Sequence, residues 1–195
     1  MTTGGITMIA ENGAPRSLVL VDIAIGLFAG LVATHVTNLA QAPLKWVTPD
    51  SVERHEEKVR PGASSSLVAA RKLAETLDIS PSSRQEELGG TAIHFAIGIC
   101  WGPVYILLRR YVGLRPFSAA VASGAAMSVV LDEALVPALG LSAPNHHYLA
   151  ATRVRGFVAH LVYGAAAALA TEGLRRLAGH PPRPRTTTRS ASVRS

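Results

Sequence analysis

Four apolar blocks punctuate this chain: Leu18 to Ala40, Gly90 to Gly113, Phe117 to Leu141 and Val154 to Gly179. Each exceeds the roughly 20 residues that an α-helix needs to cross the hydrocarbon core of a bilayer. Water is absent there, so backbone N–H and C=O groups must bond within the segment, and a single span of this kind is helical. A soluble helix would carry a polar face, and these blocks are apolar all round. Composition agrees: charged residues make up 16% of the chain, against about a quarter in soluble domains. The expected fold is an all-α integral membrane protein with four transmembrane helices, arranged as two parallel-repeated hairpins.

Three details interrupt the blocks. Asp22 lies near the start of the first. Gly102-Pro103 in the second predicts a kink, which bundled membrane helices tolerate. Asp132 and Glu133 follow fifteen uncharged residues in the third, so they lie towards its end, where a charge is less costly than at mid-membrane. Ala40-Gln41-Ala42 has the form of a signal-peptide cleavage site, but the preceding apolar run is too long and Pro43 would follow the cut, so the first span is read as retained.

The domain plan is an N-terminal segment 1–17, a transmembrane domain 18–179 and a disordered basic tail 180–195. Residues 41–89 form an extramembrane loop. Thr48-Pro49 there predicts an N-cap and first helical residue of a short charged helix ending by Pro61. Ser64 to Asp78 carries Leu67, Ala70, Leu73, Ala74 and Leu77 on one stripe, an amphipathic helix that lies on the membrane or packs over the bundle. Ser83 and Glu86 form a candidate capping box. Arginines after the second span (Arg109, Arg110, Arg115) and in the tail assign those ends and both termini to the cytoplasm. The loop, with seven basic and eight acidic residues, is neutral on this point, and Arg153 and Arg155 oppose it. The net charge of +6 comes mostly from the tail and points to anionic lipid headgroups. No nucleic-acid-binding motif is present. Cys100, the sole cysteine, excludes an internal disulfide and is read as a small packing residue.

The second and fourth blocks share a pattern. His94, Gly98, Arg109, Arg110 and Gly113 match His160, Gly164, Arg175, Arg176 and Gly179 at a constant offset of 66. The first and third match at an offset of 94, Gly30 with Gly124 and Pro43 with Pro137, which also aligns Gly26 with Ala120 and Thr34 with Ser128. Two hairpins so repeated run parallel and are related by an axis along the membrane normal. Gly26, Gly30, Gly98, Gly124 and Gly164 are the expected helix-packing positions, since small residues let membrane helices approach closely. His94, Gly98, Trp101 and Tyr105 share one helix face, as do His160, Gly164, Ala167 and Thr171.

At 1.5 Å per residue, His35, Asn38, His94, Asp132, Glu133 and His160 fall at one depth near the outer boundary. His146 and His147 lie in the loop above, and Arg153 and Arg155 nearby. Intramembrane ionisable groups face the bundle interior and pair with one another, here His94 or His160 with Glu133. Three readings stay open: interhelical hydrogen bonds that lock the bundle; a proton-responsive or ion-conducting site, because histidine titrates near neutral pH; and a metal site on His94, Glu133 and His160, for which no tight ligand spacing exists. Few polar residues are counted in the inner halves of the spans, which opposes a through-channel. No nucleophile elbow or phosphate loop is present, so neither an enzyme nor a cofactor is expected. Exposed glycine faces would permit a homo-oligomer.

Gly26 to Thr34 (GLFAGLVAT), His94-Phe95 with Gly98 and Tyr105, and His160 to Gly164 (HLVYG) resemble the YagU-like family of small bacterial inner-membrane proteins. The resemblance covers the four spans, not the tail or most of the first loop. It implies an inner-membrane location and a suggested link to acid stress, and supplies no catalytic residues. The functional expectation is a protein that senses or passes protons or small cations through the His/Glu cluster, with a structural or partner-binding protein as the alternative.

Overall fold

A computed structural model describes residues 16–59 and 64–178. The fold is all-α, with four helices long and apolar enough to cross a membrane and no strand among the described residues. In chain order the helices are α1 (Arg16–Trp46), α2 (Asp50–Val59), α3 (Ser65–Thr76), α4 (Ser83–Arg110), α5 (Pro116–Met127), α6 (Val136–Ala138) and α7 (Ala150–Leu177). A π-helical segment, Ser128–Leu135, joins α5 to α6 without a break, and a 3-10 turn, Asn145–His147, precedes α7. The basic tail and Gly179 lie outside the described residues, as do residues 1–15.

The helices run beyond the apolar blocks. α1 continues through Pro43 to Trp46, and α4 begins at Ser83 rather than Gly90. A helix need not end where lipid does, because polar residues such as Gln41 and Lys45 continue it into the headgroup region. The third span stops earlier, at Ala138, where the chain reverses through Gly140 at φ +61°, a conformation glycine adopts without strain. Two predicted caps slip by one residue. Ser82, not Ser83, opens α4, its backbone N–H donating to Gln85 Oε1 at 2.8 Å. Thr48 turns its hydroxyl back to the Leu44 carbonyl, and the Pro49 carbonyl receives the first N–H groups of α2.

α1 sits between α4 and α7, while α5 packs on α7 and more lightly on α4. Glycines set the spacing. A Cβ at Gly102 would overlap the Gly26 carbonyl oxygen, one at Gly164 that of Ala120, and one at Gly98 the Thr34 hydroxyl. Pro103 has no N–H to offer the Ile99 carbonyl. That freed oxygen faces Gly30, where a Cβ would stand 2.7 Å away, so the proline's cost is partly met by close backbone approach.

α2 and α3 roof one end of the bundle. α3 rests on α4, with Leu67 against Gly90 and Ala70 beside Gly89, and Arg71 pairs with Glu86 at 2.7 Å. Lys72 Nζ donates to the carbonyls of Leu139 and Gly140 at 2.8 and 3.1 Å, tying the roof to the end of the third span. Leu73 and Leu77 remain exposed. Under α2, Arg155 reaches Glu56 at 2.5 Å and Thr48 Oγ1 at 3.3 Å.

Candidate functional site: a roofed cavity with two histidines

Beneath α2 and α3 a cavity of about 1100 Å³ enters the bundle. Its walls carry two contacts of the same kind. His94 Nε2–H donates to Asn38 Oδ1 at 3.0 Å, joining α4 to α1. His160 Nε2–H donates to Asp132 Oδ2 at 2.8 Å, joining α7 to the π segment. The Ser128 hydroxyl also points to Asp132, at 3.4 Å. The predicted histidine faces do turn inwards, since Gly98, Tyr105, Gly164, Ala167 and Thr171 on them are buried.

The π segment sets the second contact. An α-helical Pro137 would press its ring on the Glu133 carbonyl, and wider winding relieves that clash. Val136 N–H accordingly bonds to the Leu131 carbonyl, five residues back. Lower down, the two hairpins are out of step by a turn: Gly102 faces Gly26 and Gly30, whereas Gly164, four residues short of the 66-residue equivalent of Gly102, faces Ala120 and Gly124. Asp132, within the π segment, is the acid that meets His160. π-helical turns are frequent at functional sites.

The expected partner of the histidines, Glu133, does not meet them. It points outward, 41% exposed, and lies 3.6 Å from Arg153, itself half exposed. Adjacent residues on a helix point in different directions, and only Asp132 meets His160, although its side chain is 37% exposed against 41% for Glu133. His35 is exposed and edges onto the Phe95 ring at 4.9 Å. His146 and His147 are exposed on the 3-10 turn, where the His147 carbonyl accepts from His55 Nε2 at 3.0 Å. Arg155 serves Glu56 rather than the cluster. No group of three or more His, Cys, Asp or Glu among the described residues is placed to hold a metal ion, and outward-facing Glu133 is unsuited to join His94 and His160 in one. Cys100 is exposed on the outside of α4, not packed within the bundle.

Below the cavity the interior is largely apolar and closely packed. Thr34, Gly98, Met127 and Tyr163 form its floor, and the Tyr163 hydroxyl donates to the Gly98 carbonyl. Ala33, Ala166 and Ala167 pack with Met127, Tyr163, Trp101 and Leu131 beneath. Trp101 Nε1–H donates to the Ser123 carbonyl at 3.2 Å.

The opposite end carries a second polar group that sequence reasoning passed over. Buried Asp22 pairs with both Arg110 and Arg175, the latter at 2.5 Å. Glu172 Oε1 accepts from the fully buried Tyr105 hydroxyl at 2.9 Å and from Arg109 Nε at 2.8 Å. Arg109 also donates to the Leu114 carbonyl. The expectation of few polar groups in that half is therefore wrong. In the sequence these arginines mark membrane orientation and the repeat, and by themselves carry no sign of acidic partners. Glu172, the only acid in the fourth apolar block, and Asp22, the only one in the first, were the signal that they had partners within the bundle.

No family model matches the chain, and no match is found among curated proteins or solved structures.

Proposed function

We propose that this protein is a proton-responsive receptor of the bacterial inner membrane, with the roofed cavity in the outer leaflet and the arginine end in the cytoplasm. The single observation that carries the reading is the His160–Asp132 contact on the cavity wall. A proton on the imidazole turns that hydrogen bond into an ion pair, and histidine is the side chain whose charge ordinarily changes between about pH 5 and 8. The closely packed apolar layer under the cavity favours sensing over passage. Positive charge within the arginine-rich end favours its cytoplasmic assignment. Proton sensing of this kind needs no enzymatic step and no cofactor.

This reading also treats the two hairpins as copies of one ancestral unit. The offsets of 66 and 94 place His94 on His160 and Asn38 on Asp132, and these are the residues in the two equivalent contacts. Kinship with the YagU-like proteins is part of the same proposal. A purely structural reading draws support from the His94–Asn38 bond, which joins two spans without any carboxylate.

Nuclear magnetic resonance of isotope-labelled histidine in lipid nanodiscs tests the proposal. The His160 ring signals are expected to respond to acidification, and Asp132→Asn to change that response while leaving the fold intact. A His160 ring that holds one protonation state from pH 5 to 8 leaves the structural reading in place. A proton flux into liposomes that Asp132→Asn abolishes would replace sensing by passage.

A further inference from the structure

The cavity is far larger than a proton or a small inorganic ion requires. At about 1100 Å³ it matches or exceeds the volumes, roughly 300–1000 Å³, of pockets that enclose small organic molecules. Its lining has two parts. Apolar side chains from several elements form one: Leu44, Leu67, Phe95, Ile97, Leu131 and Leu139. Charge forms the other, and its sign opposes that of the molecule. Glu53, Glu56, Glu57, Glu87 and Asp132 line the cavity, against Lys45 and Arg155, while the exposed pair Glu133 and Arg153 stands at its outer edge. Five acids less two bases leave a surplus of three negative charges among the described lining residues, in a chain whose net charge is +6.

Arg155 is engaged with Glu56 and Arg153 lies beside Glu133. Glu53 and Glu57 come from α2 in the roof, so the surplus is concentrated at the roofed side and the apolar wall reaches into the bundle. Low-dielectric walls bearing one sign of charge raise the local concentration of the opposite ion.

We infer that the cavity binds an amphiphilic organic cation, a protonated amine or quaternary onium group on an apolar body, with the charge towards α2 and the body against the apolar wall. The inference rests on the reading of the cavity as a receptor site and names its ligand class. The cation and the His160 proton add charge of the same sign to the same cavity, so each weakens the other's binding, as reciprocal linkage requires.

The test uses the full chain in lipid nanodiscs and two ions of nearly the same shape and opposite charge, tetraphenylphosphonium and tetraphenylborate. Isothermal titration, corrected with protein-free nanodiscs, should show saturable binding of the phosphonium and none of the borate. The double substitution Glu53→Gln and Glu57→Gln, on the half-exposed and exposed faces of α2, should weaken phosphonium binding at least tenfold. The His160 titration should persist in that variant. Absence of saturable phosphonium binding, equal binding of both ions, or an unchanged affinity in the double variant overturns the inference. Titration of His160 without phosphonium binding defeats this inference alone. Phosphonium binding to a protein whose His160 does not titrate defeats the proton reading alone.

Discussion

At the scale of single residues, the bundle depends on hydrogen atoms where other residues carry a β-carbon. Gly102 and Gly164 each face a carbonyl of the neighbouring span, whereas Gly173 has no such neighbour within 4 Å. Gly102→Leu and Gly164→Leu should therefore destabilise by at least about 1–3 kcal/mol, the usual range for overpacking. Gly173→Leu should be neutral. Thermal unfolding in detergent distinguishes the three. Asp22 makes a second test, because Asp22→Asn leaves Arg110 and Arg175 facing each other with one uncharged partner. A loss of about 2–4 kcal/mol is expected, at or just below the range for opening a buried ion pair, since each side chain retains some exposure. No loss of stability would mean that the arginines find lipid phosphates equally well. The glycine contacts were legible from small-residue spacing. The Asp22 pairs were not, because arginines flanking a span look the same whether they anchor it to headgroups or reach back to an acid.

Among the elements, the π segment is the one that pattern reading had no means to foresee. Apolar periodicity reports a helix, and it does not report whether the winding is four or five residues per hydrogen bond. Choosing between Asp132 and Glu133 depended on that difference. The prolines were visible, and Pro137 supplies the physical reason in hindsight. Pro137→Ala should remove the ring clash and let the segment relax towards α-helix, turning Asp132 away from His160. Its signature is a His160 titration that approaches that of Asp132→Asn, with helix content by circular dichroism unchanged. A titration identical to the parent protein would show that packing alone sustains the wide winding. The long spans themselves were plain in the sequence, while their ends moved because helices continue past the hydrocarbon on polar residues such as Gln41 and Lys45.

For the whole molecule, the extramembrane loop is part of the architecture rather than a tether. The amphipathic stripe of 64–78 left a choice between lying on lipid and packing over the bundle, and the structure takes the second, with Leu67 on Gly90 and Lys72 on the carbonyls of Leu139 and Gly140. Few apolar residues hold this roof, so it should open more readily than the spans. Arg71→Ala with Lys72→Ala should speed amide exchange across α3 several-fold and leave α1, α4 and α7 protected. Uniform acceleration would mean that the roof and the bundle unfold as one. The sequence placed the polar residues at a common depth, but sharing a depth does not decide which of them share an interior, and His35 and Glu133 proved to face outward. That depends on helix rotation, which is set by contacts between segments distant in the chain.

Asn38 and Asp132 differ by an NH₂ group in place of an oxygen, and the exchange makes the two sides of the chamber unequal. One imidazole has a neighbour that can become its counter-ion; the other has a neighbour that never will. On the proton reading, a first proton thus has a preferred address, and a second would arrive beside an existing cation with only an amide as its direct partner. On that reading the chamber tells zero added charges from one.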